Sequence, residues 1–218
     1  MVKQINKKAN FWIRLLATLI DVIIFLIFSV ISSFATFDYQ NAKLIHNALY
    51  YFWLINLILF LLIYFILIPI FAKGKTLGMT ICRIKIISTD KTEKFSKAVF
   101  NRQRLFSFVW MIIFALFAIL ISPETFIKAS TKGMTKDQLT TVQFGFLMIP
   151  IALIGIASFT QLFLIMSNAR SNRVGLNDKF SSTETVWINK YEEIEEEEII
   201  ERIIKPKKRV LPTLTFKN

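Results

Sequence analysis

Cysteine and histidine are almost missing from this chain. Cys82 is its single cysteine and His46 its single histidine. One thiol excludes an intrachain disulfide and a Cys-cluster metal site. One imidazole excludes a multi-His zinc centre and leaves no histidine general base outside one loop position. Glycine and proline are scarce, at six and five of 218 residues, and acid is outnumbered, with 15 Asp and Glu against 27 Lys and Arg. The net charge of +12 would suit a nucleic-acid binder if it were spread over the chain. It is not, as the loops show. No nucleophile–base pair or metal-ligand set is visible, so no catalytic residue, metal or cofactor is expected.

What the chain does have is long uncharged runs. It is 54% hydrophobic, with 22 phenylalanines. Four runs approach the roughly 20 residues that a bilayer requires: about Trp12 to Phe34, Tyr50 to Ala72, Leu105 to Ile121 and Val142 to Met166. Trp12, Tyr50, Tyr51 and Trp53 sit near run ends, where aromatic belts form, whereas Trp110 falls inside the third. Pro150, Gly145 and Gly155 make the fourth the run expected to bend. The first run ends in Ser33-Phe34-Ala35, which has the small-x-small form of a signal cleavage site. It is too long for a signal core and carries Asp21, so it reads as a retained span.

Lys and Arg orient these spans. The segment through Arg14, the loop from Lys73 to Arg104 and the tail after Met166 carry four, nine and ten of them, while the two other loops carry one and three. That bias predicts cytoplasmic termini, as an even number of spans also requires, and it accounts for most of the basic charge without nucleic acid. In the basic loop, Ile81 to Ser88 alternates like a short strand. Thr183 to Ile188 does the same after the fourth span, and the two are expected to pair. Between Phe95 and Phe106, apolar residues at helical spacing are crowded by Lys94, Lys97, Arg102 and Arg104. This predicts a basic helix on anionic lipid headgroups. The expected architecture is an all-α integral membrane protein of four transmembrane helices, with that interfacial helix and a small cytoplasmic two-stranded pairing. Residues 1–189 form the membrane domain. Residues 190–218 form a charged cytoplasmic tail, either helical through Glu198–Arg202 and Glu201–Lys205 pairs or disordered.

Within the first span sit Arg14 and Asp21, seven residues apart and so on one helix face about 10 Å apart. Arg14 can reach the headgroups. Asp21 cannot, and a charge there costs at least about 3 kcal/mol unless it meets a partner or a wet cavity. Depth counting puts Tyr64, Gln161, Thr160 and Thr18 near its level. Thr18, Ser158 and Thr160 read as hydrogen-bond glue and Tyr64 as a core aromatic with a satisfied hydroxyl, while Gln161 is open between glue and function. For Asp21 the competing readings are a functional acid and a static salt bridge to Arg14 or another arginine. Gly74-Lys75-Thr76 lacks the upstream glycine of a phosphate loop, since Pro69 stands there; Gly74 and Gly78 read as a tight turn. His46 and Asp38 in the first outer loop read as solvated loop residues.

Arg14-Leu-Leu-Ala-Thr-Leu-Ile-Asp21 resembles the opening signature of RDD family membrane proteins, named for one arginine and two aspartates. Gly74-Lys-Thr-Leu-Gly78 with Ile84-Lys85-Ile86-Ile87, and Asn177-Asp178-Lys179 with Thr185-Val186-Trp187-Ile188, are similar to that family's loop and closing motifs. Arg14, Asp21 and Asp178 match the three naming residues. The chain departs where the family commonly has histidine, at Asn177, and where small residues usually follow, at Phe180-Ser181-Ser182. The resemblance implies a multi-pass membrane protein, for which transport and cation–proton antiport have been suggested.

Three functions are therefore open. The first is a small transporter or cation–proton exchanger working through Asp21, with Asp178 beside Arg14 at the cytoplasmic mouth, Gln161 and Tyr64 on the route, and a homo-oligomer expected because four spans make a thin pathway. The second is a non-transporting scaffold or accessory subunit that holds lipids or a membrane partner protein. A membrane enzyme ranks last.

Overall fold

A computed structural model describes residues 2–90, 93–132, 139–169 and 173–195. Its long helices are α1 (Phe11–Phe34), α2 (Asn47–Phe71) and α7 (Thr141–Met166, with a 3-10 turn to Ala169). Shorter ones are α3 (Leu77–Ile81), α4 (Phe95–Gln103), α5 (Ser107–Leu120), α6 (Pro123–Lys132) and α8 (Leu176–Phe180). Strands β1 (Val2–Lys8), β4 (Ile84–Ser88) and β5 (Thr183–Glu195) form one sheet in the order β1-β5-β4, and β2 (Phe37–Asp38) with β3 (Lys43–Leu44) forms a hairpin. The bundle thus has a sheet end and a hairpin end.

Three helices, α1, α2 and α7, are long and apolar enough to cross a membrane; a fourth crossing exists if α4 and α5, bent by 55° at their junction, count as one. The expected third span does not stand alone. Helix α5 has 14 residues, about 21 Å of helix against a hydrocarbon layer of about 30 Å. The irregularity expected at Pro150 is not a break, since α7 runs through it. Helix α2 has an irregularity of its own, where Ile63–Leu67 is a π turn and the amide of Ile68 reaches back to Ile63. Pro69 supplies a reason: it has no N–H, and its ring crowds the carbonyl four residues before it.

Helix α2 is the central element. In its most apolar window 39% of residues are buried, against 11% in α1 and 17% in α7. The main core gathers Leu61, Tyr64, Phe65, Ile66 and Met111 under a rim of rings that includes Phe25, Phe60, Phe106, Trp110 and Phe114. Helices α1 and α7 turn Ile23, Ile27, Ile31, Ile156, Phe159 and Leu162 outward. Contiguous apolar surface of this kind is foreign to a chain surrounded by water and fits a lipid surrounding.

At the sheet end, β4 and β5 pair antiparallel from Ile84↔Trp187 to Ser88↔Thr183. The expected strand from Ile81 is shortened, because the Thr76 hydroxyl accepts from the Met79 amide and caps α3 over Leu77–Ile81. The pairing expected to have two strands has three. The N-terminal segment joins as β1, with Lys7–Glu192 at 3.0 Å and Lys8–Glu184 at 2.7 Å across the ladder. The boundary drawn at residue 189 falls inside β5, and Glu192 to Glu195 are strand rather than helix. The expected Glu198–Arg202 and Glu201–Lys205 pairs lie outside the described residues. At the hairpin end, the His46 ring accepts from the Ala48 amide at 3.2 Å and caps α2, while Asp38 accepts from Gln40 and Asn41.

Gly74 makes the turn from α2 toward the sheet. Its φ is +86°, and a Cβ there would stand 2.2 Å from the carbonyl oxygen of Ile86, whose amide donates to the Gly74 carbonyl at 2.8 Å. Gly74→Ala is expected to destabilise the protein by about 1–3 kcal/mol. The check is a lower thermal midpoint of the purified protein in detergent, next to Gly145→Ala, where an added Cβ meets nothing within 4 Å.

Candidate functional site

Two acids organise the sheet end, and each meets different company. Asp178, on α8, is 1% exposed and lies between two guanidinium groups. Arg14 Nη1 donates to its Oδ2 at 2.5 Å, and Arg102 Nη1 donates to its Oδ1. The Gly175 amide adds a third donor to Oδ2 at 3.2 Å. Gly175 leaves room for the Asn168 side chain, whose Oδ1 would stand 2.0 Å from a Cβ there and would have to shift.

Arg14 spends its whole donor fork here. Nε donates to the Ala9 carbonyl at 3.1 Å, Nη1 also to Asn168 Oδ1 at 3.2 Å, and Nη2 to the carbonyls of Arg173 and Thr185 at 2.8 and 2.9 Å. Arg102 binds the hydroxyls of Thr183 and Thr185 at 2.8 and 3.0 Å. One ion cluster therefore ties the start of α1, the end of α4, the exit of α7 and strand β5. Burial by itself would push the Asp178 carboxyl up; the charges of Arg102 and Arg14 and their hydrogen bonds outweigh it and hold the carboxyl below its usual range.

Asp21, 3% exposed on α1, is not paired with Arg14. Its Oδ1 accepts from the Tyr64 hydroxyl at 2.6 Å and the Gly78 amide at 2.9 Å, and its Oδ2 from the Thr76 hydroxyl at 2.7 Å. Three neutral donors hold it, and no cation bonds to it among the described residues. Tyr64 comes from the π turn of α2, Thr76 and Gly78 from the cap and first turn of α3. Gly78 is less a turn than a close approach, since a Cβ there would stand 2.4 Å from the Ala17 carbonyl oxygen and 2.6 Å from Asp21 Oδ1. A cavity of about 70 Å³ opens beside the carboxylate, with Thr18, Thr76, Gln103, Arg102 and Asn177 among its walls. Asn177, at the position where the resemblance led to an expectation of histidine, thus faces the same space as Asp21.

Of the residues read at one depth, the structure brings Tyr64 to Asp21. Gln161 instead donates from Nε2 to the Phe106 carbonyl at 3.5 Å, and Thr160 and Thr18 bond to carbonyls of their own helices. Arg102, expected among headgroup-facing cations, is turned inward to Asp178; Lys94, Lys97 and Arg104 are exposed, with Lys97 also 2.7 Å from Glu93. Thr76, Asn168 and Thr185 were missed. Thr76 sits in a turn legible from its glycines, but nothing in the spacing shows that the turn folds back on Asp21.

Asp178→Asn is expected to cost about 3–5 kcal/mol, because two buried guanidinium groups lose their shared counter-charge. The pH dependence follows from the depressed carboxyl. Its stabilisation is complete above the unfolded value of about 3.9 and fades as the pH falls through the lower folded value. Thermal midpoints followed from neutral pH downward should fall steeply only in acid for the natural chain, and less so for Asp178→Asn.

No curated protein and no solved structure matches the chain. The RDD family model matches residues 8–182, a stretch that takes in Arg14, Asp21, the Gly74 to Gly78 turn and Asp178. With that match over most of its length, the chain belongs to the RDD family.

Proposed function

We propose that this protein is a membrane-embedded exchanger that passes a proton or a cation by way of Asp21, without enzymatic chemistry. The observation that carries the reading is a carboxylate inside an apolar helix, held by neutral donors alone and bordering a small polar cavity. An intramembrane acid without a cation is a functional candidate by default. Its partners also suit a change of charge. Protonating Asp178 would strip two arginines of their counter-charge. Protonating Asp21 asks only that the Tyr64 or Thr76 hydroxyl rotate from donating to accepting, a change the Gly78 amide cannot make. Tyr64 lies in the π turn, a backbone irregularity that often marks functional positions.

In this reading the sheet end is cytoplasmic and the protein is multi-pass in the cell membrane, on the strength of the Lys and Arg bias. Lys94, Lys97 and Arg104 rest on anionic headgroups. A second copy covers part of the thinly packed α1 and α7. The Arg14–Asp178–Arg102 cluster is the lock that fixes the frame.

A second reading, an accessory subunit or scaffold, is favoured by one observation: that lock is fully satisfied and needs no transported species. Purified protein in liposomes separates the two. Asp21→Asn is expected to lower pH-dependent cation flux at least tenfold at unchanged yield. Equal flux in the variant would remove Asp21 from the route and overturn the exchanger as proposed; no flux in either protein together with stoichiometric recovery of a partner would establish the scaffold instead.

A further inference from the structure

Three cavities lie along one side of α1, and each shares walls with the next. The first is the 70 Å³ space at Asp21. Phe65 and Phe106 line both it and a second chamber of about 370 Å³ at mid-bundle. Ser29 lines both that chamber and a third cavity of about 440 Å³ beneath the β2–β3 hairpin, which Ser33 also lines. The α1 residues on this side, Asp21, Phe25, Ser29 and Ser33, recur every fourth position, one helix stripe about 18 Å long. The Phe65 and Phe106 rings, 6.0 Å apart, close the stripe between acid and chamber. Both stand at irregular backbone, Phe65 in the π turn and Phe106 at the 55° bend. Phe65 also packs edge-on against Tyr64, at 4.9 Å and 76°, and Tyr64 bonds Asp21.

The middle chamber selects against a bare inorganic ion. Its walls are chiefly apolar and aromatic, with Phe25, Phe65, Phe106, Trp110 and Phe114 supplying rings and Ser29, Ser107 and Gln161 the polar side chains. Desolvating a small cation there is costly. A delocalised organic cation loses less hydration and gains from aromatic faces, and the volume lies in the usual range for drug-sized ligands, about 300–1,000 Å³. No Lys or Arg lines the chamber among the described residues. Its rim includes Val22 and Leu26, 37% and 54% exposed on the outward face of α1, so it is open toward the hydrocarbon layer. Arg102 lines the Asp21 cavity, but its charge is spent on Asp178.

We propose that this stripe is one route, gated by the Phe65–Phe106 pair, and that its substrate is a lipophilic organic cation entering from the bilayer and drawn toward Asp21. This rests on the exchanger reading and narrows its substrate class. The test is saturable binding of tetraphenylphosphonium to the purified full chain in detergent. Leu26→Trp, at the rim, is expected to obstruct the opening of the chamber and weaken binding at least tenfold. Asp21→Asn should weaken it at least threefold, and Na+ and K+ should not displace the probe. Absence of saturable binding, or binding indifferent to both variants, overturns the inference. So does quenching of Trp110, read in a chain whose Trp12, Trp53 and Trp187 are replaced by phenylalanine, by brominated acyl chains that the probe leaves unchanged, since the chamber would then hold lipid. If the probe fails but Na+- or K+-driven proton flux in liposomes depends on Asp21, the exchanger stands and only the organic substrate falls; if both fail, both readings fall.

Discussion

A carboxylate shared by two arginines, where water is scarce, fixes the architecture of this protein. Asp178 accepts from Arg14 and Arg102, and the two guanidinium groups donate further to Ala9, Asn168, Arg173, Thr183 and Thr185. Each of those contacts is long-range except the one to Ala9, so the cluster stitches the start of the chain to its far end. Replacing a buried ion set by apolar residues is often neutral or stabilising. What such a set supplies here is register, because its bonds set α1, α4, α8 and β5 against one another. The sheet follows from it, because Thr185 and Ala9 are held against each other by backbone as well, with the Ala9 amide donating to the Thr185 carbonyl at 3.0 Å.

Asp21 is organised on the opposite principle. Its donors are neutral, come from α2 and from the start of α3, and two are rotatable hydroxyls. Gly78 lets α3 sit against α1 closely enough for a backbone amide to reach the carboxylate, which a Cβ would prevent. The two acids therefore divide the work. One is committed to cations and static; the other is desolvated but uncommitted, and it borders a cavity that leads toward the aromatic core. The stretch that the RDD family model matches takes in both.

Two breaks in regular helix meet near that second acid. The π turn brings Tyr64 and Phe65 around to α1, and the break between α4 and α5 sets Phe106 against Phe65. Pro150, the more conspicuous feature of the sequence, leaves α7 unbroken. A proline matters to a helix through the groups it crowds, and Pro69 sits where its helix is already ending.

The amino-acid sequence by itself determined the long apolar helices, the crowding of positive charge at one end, the Gly74 turn and the β4–β5 pairing, and it set Arg14 and Asp21 on one face of the first helix; Asp178 was marked only by the family resemblance. All but the last depend on composition, local periodicity and backbone freedom, which are written residue by residue. The sequence also put Tyr64 at the right depth, since rise per residue is fixed in a helix. Tertiary structure alone decided which way each side chain points. It turned Arg102 from the surface to Asp178, sent Gln161 to the Phe106 carbonyl instead of to Asp21, folded Thr76 and Gly78 back over the acid, and recruited Val2 to Lys8 into the sheet. Azimuth around a helix and the partner of a strand edge are properties of the whole packed chain, and the competition among donors for a buried charge is settled only when all of them are in place.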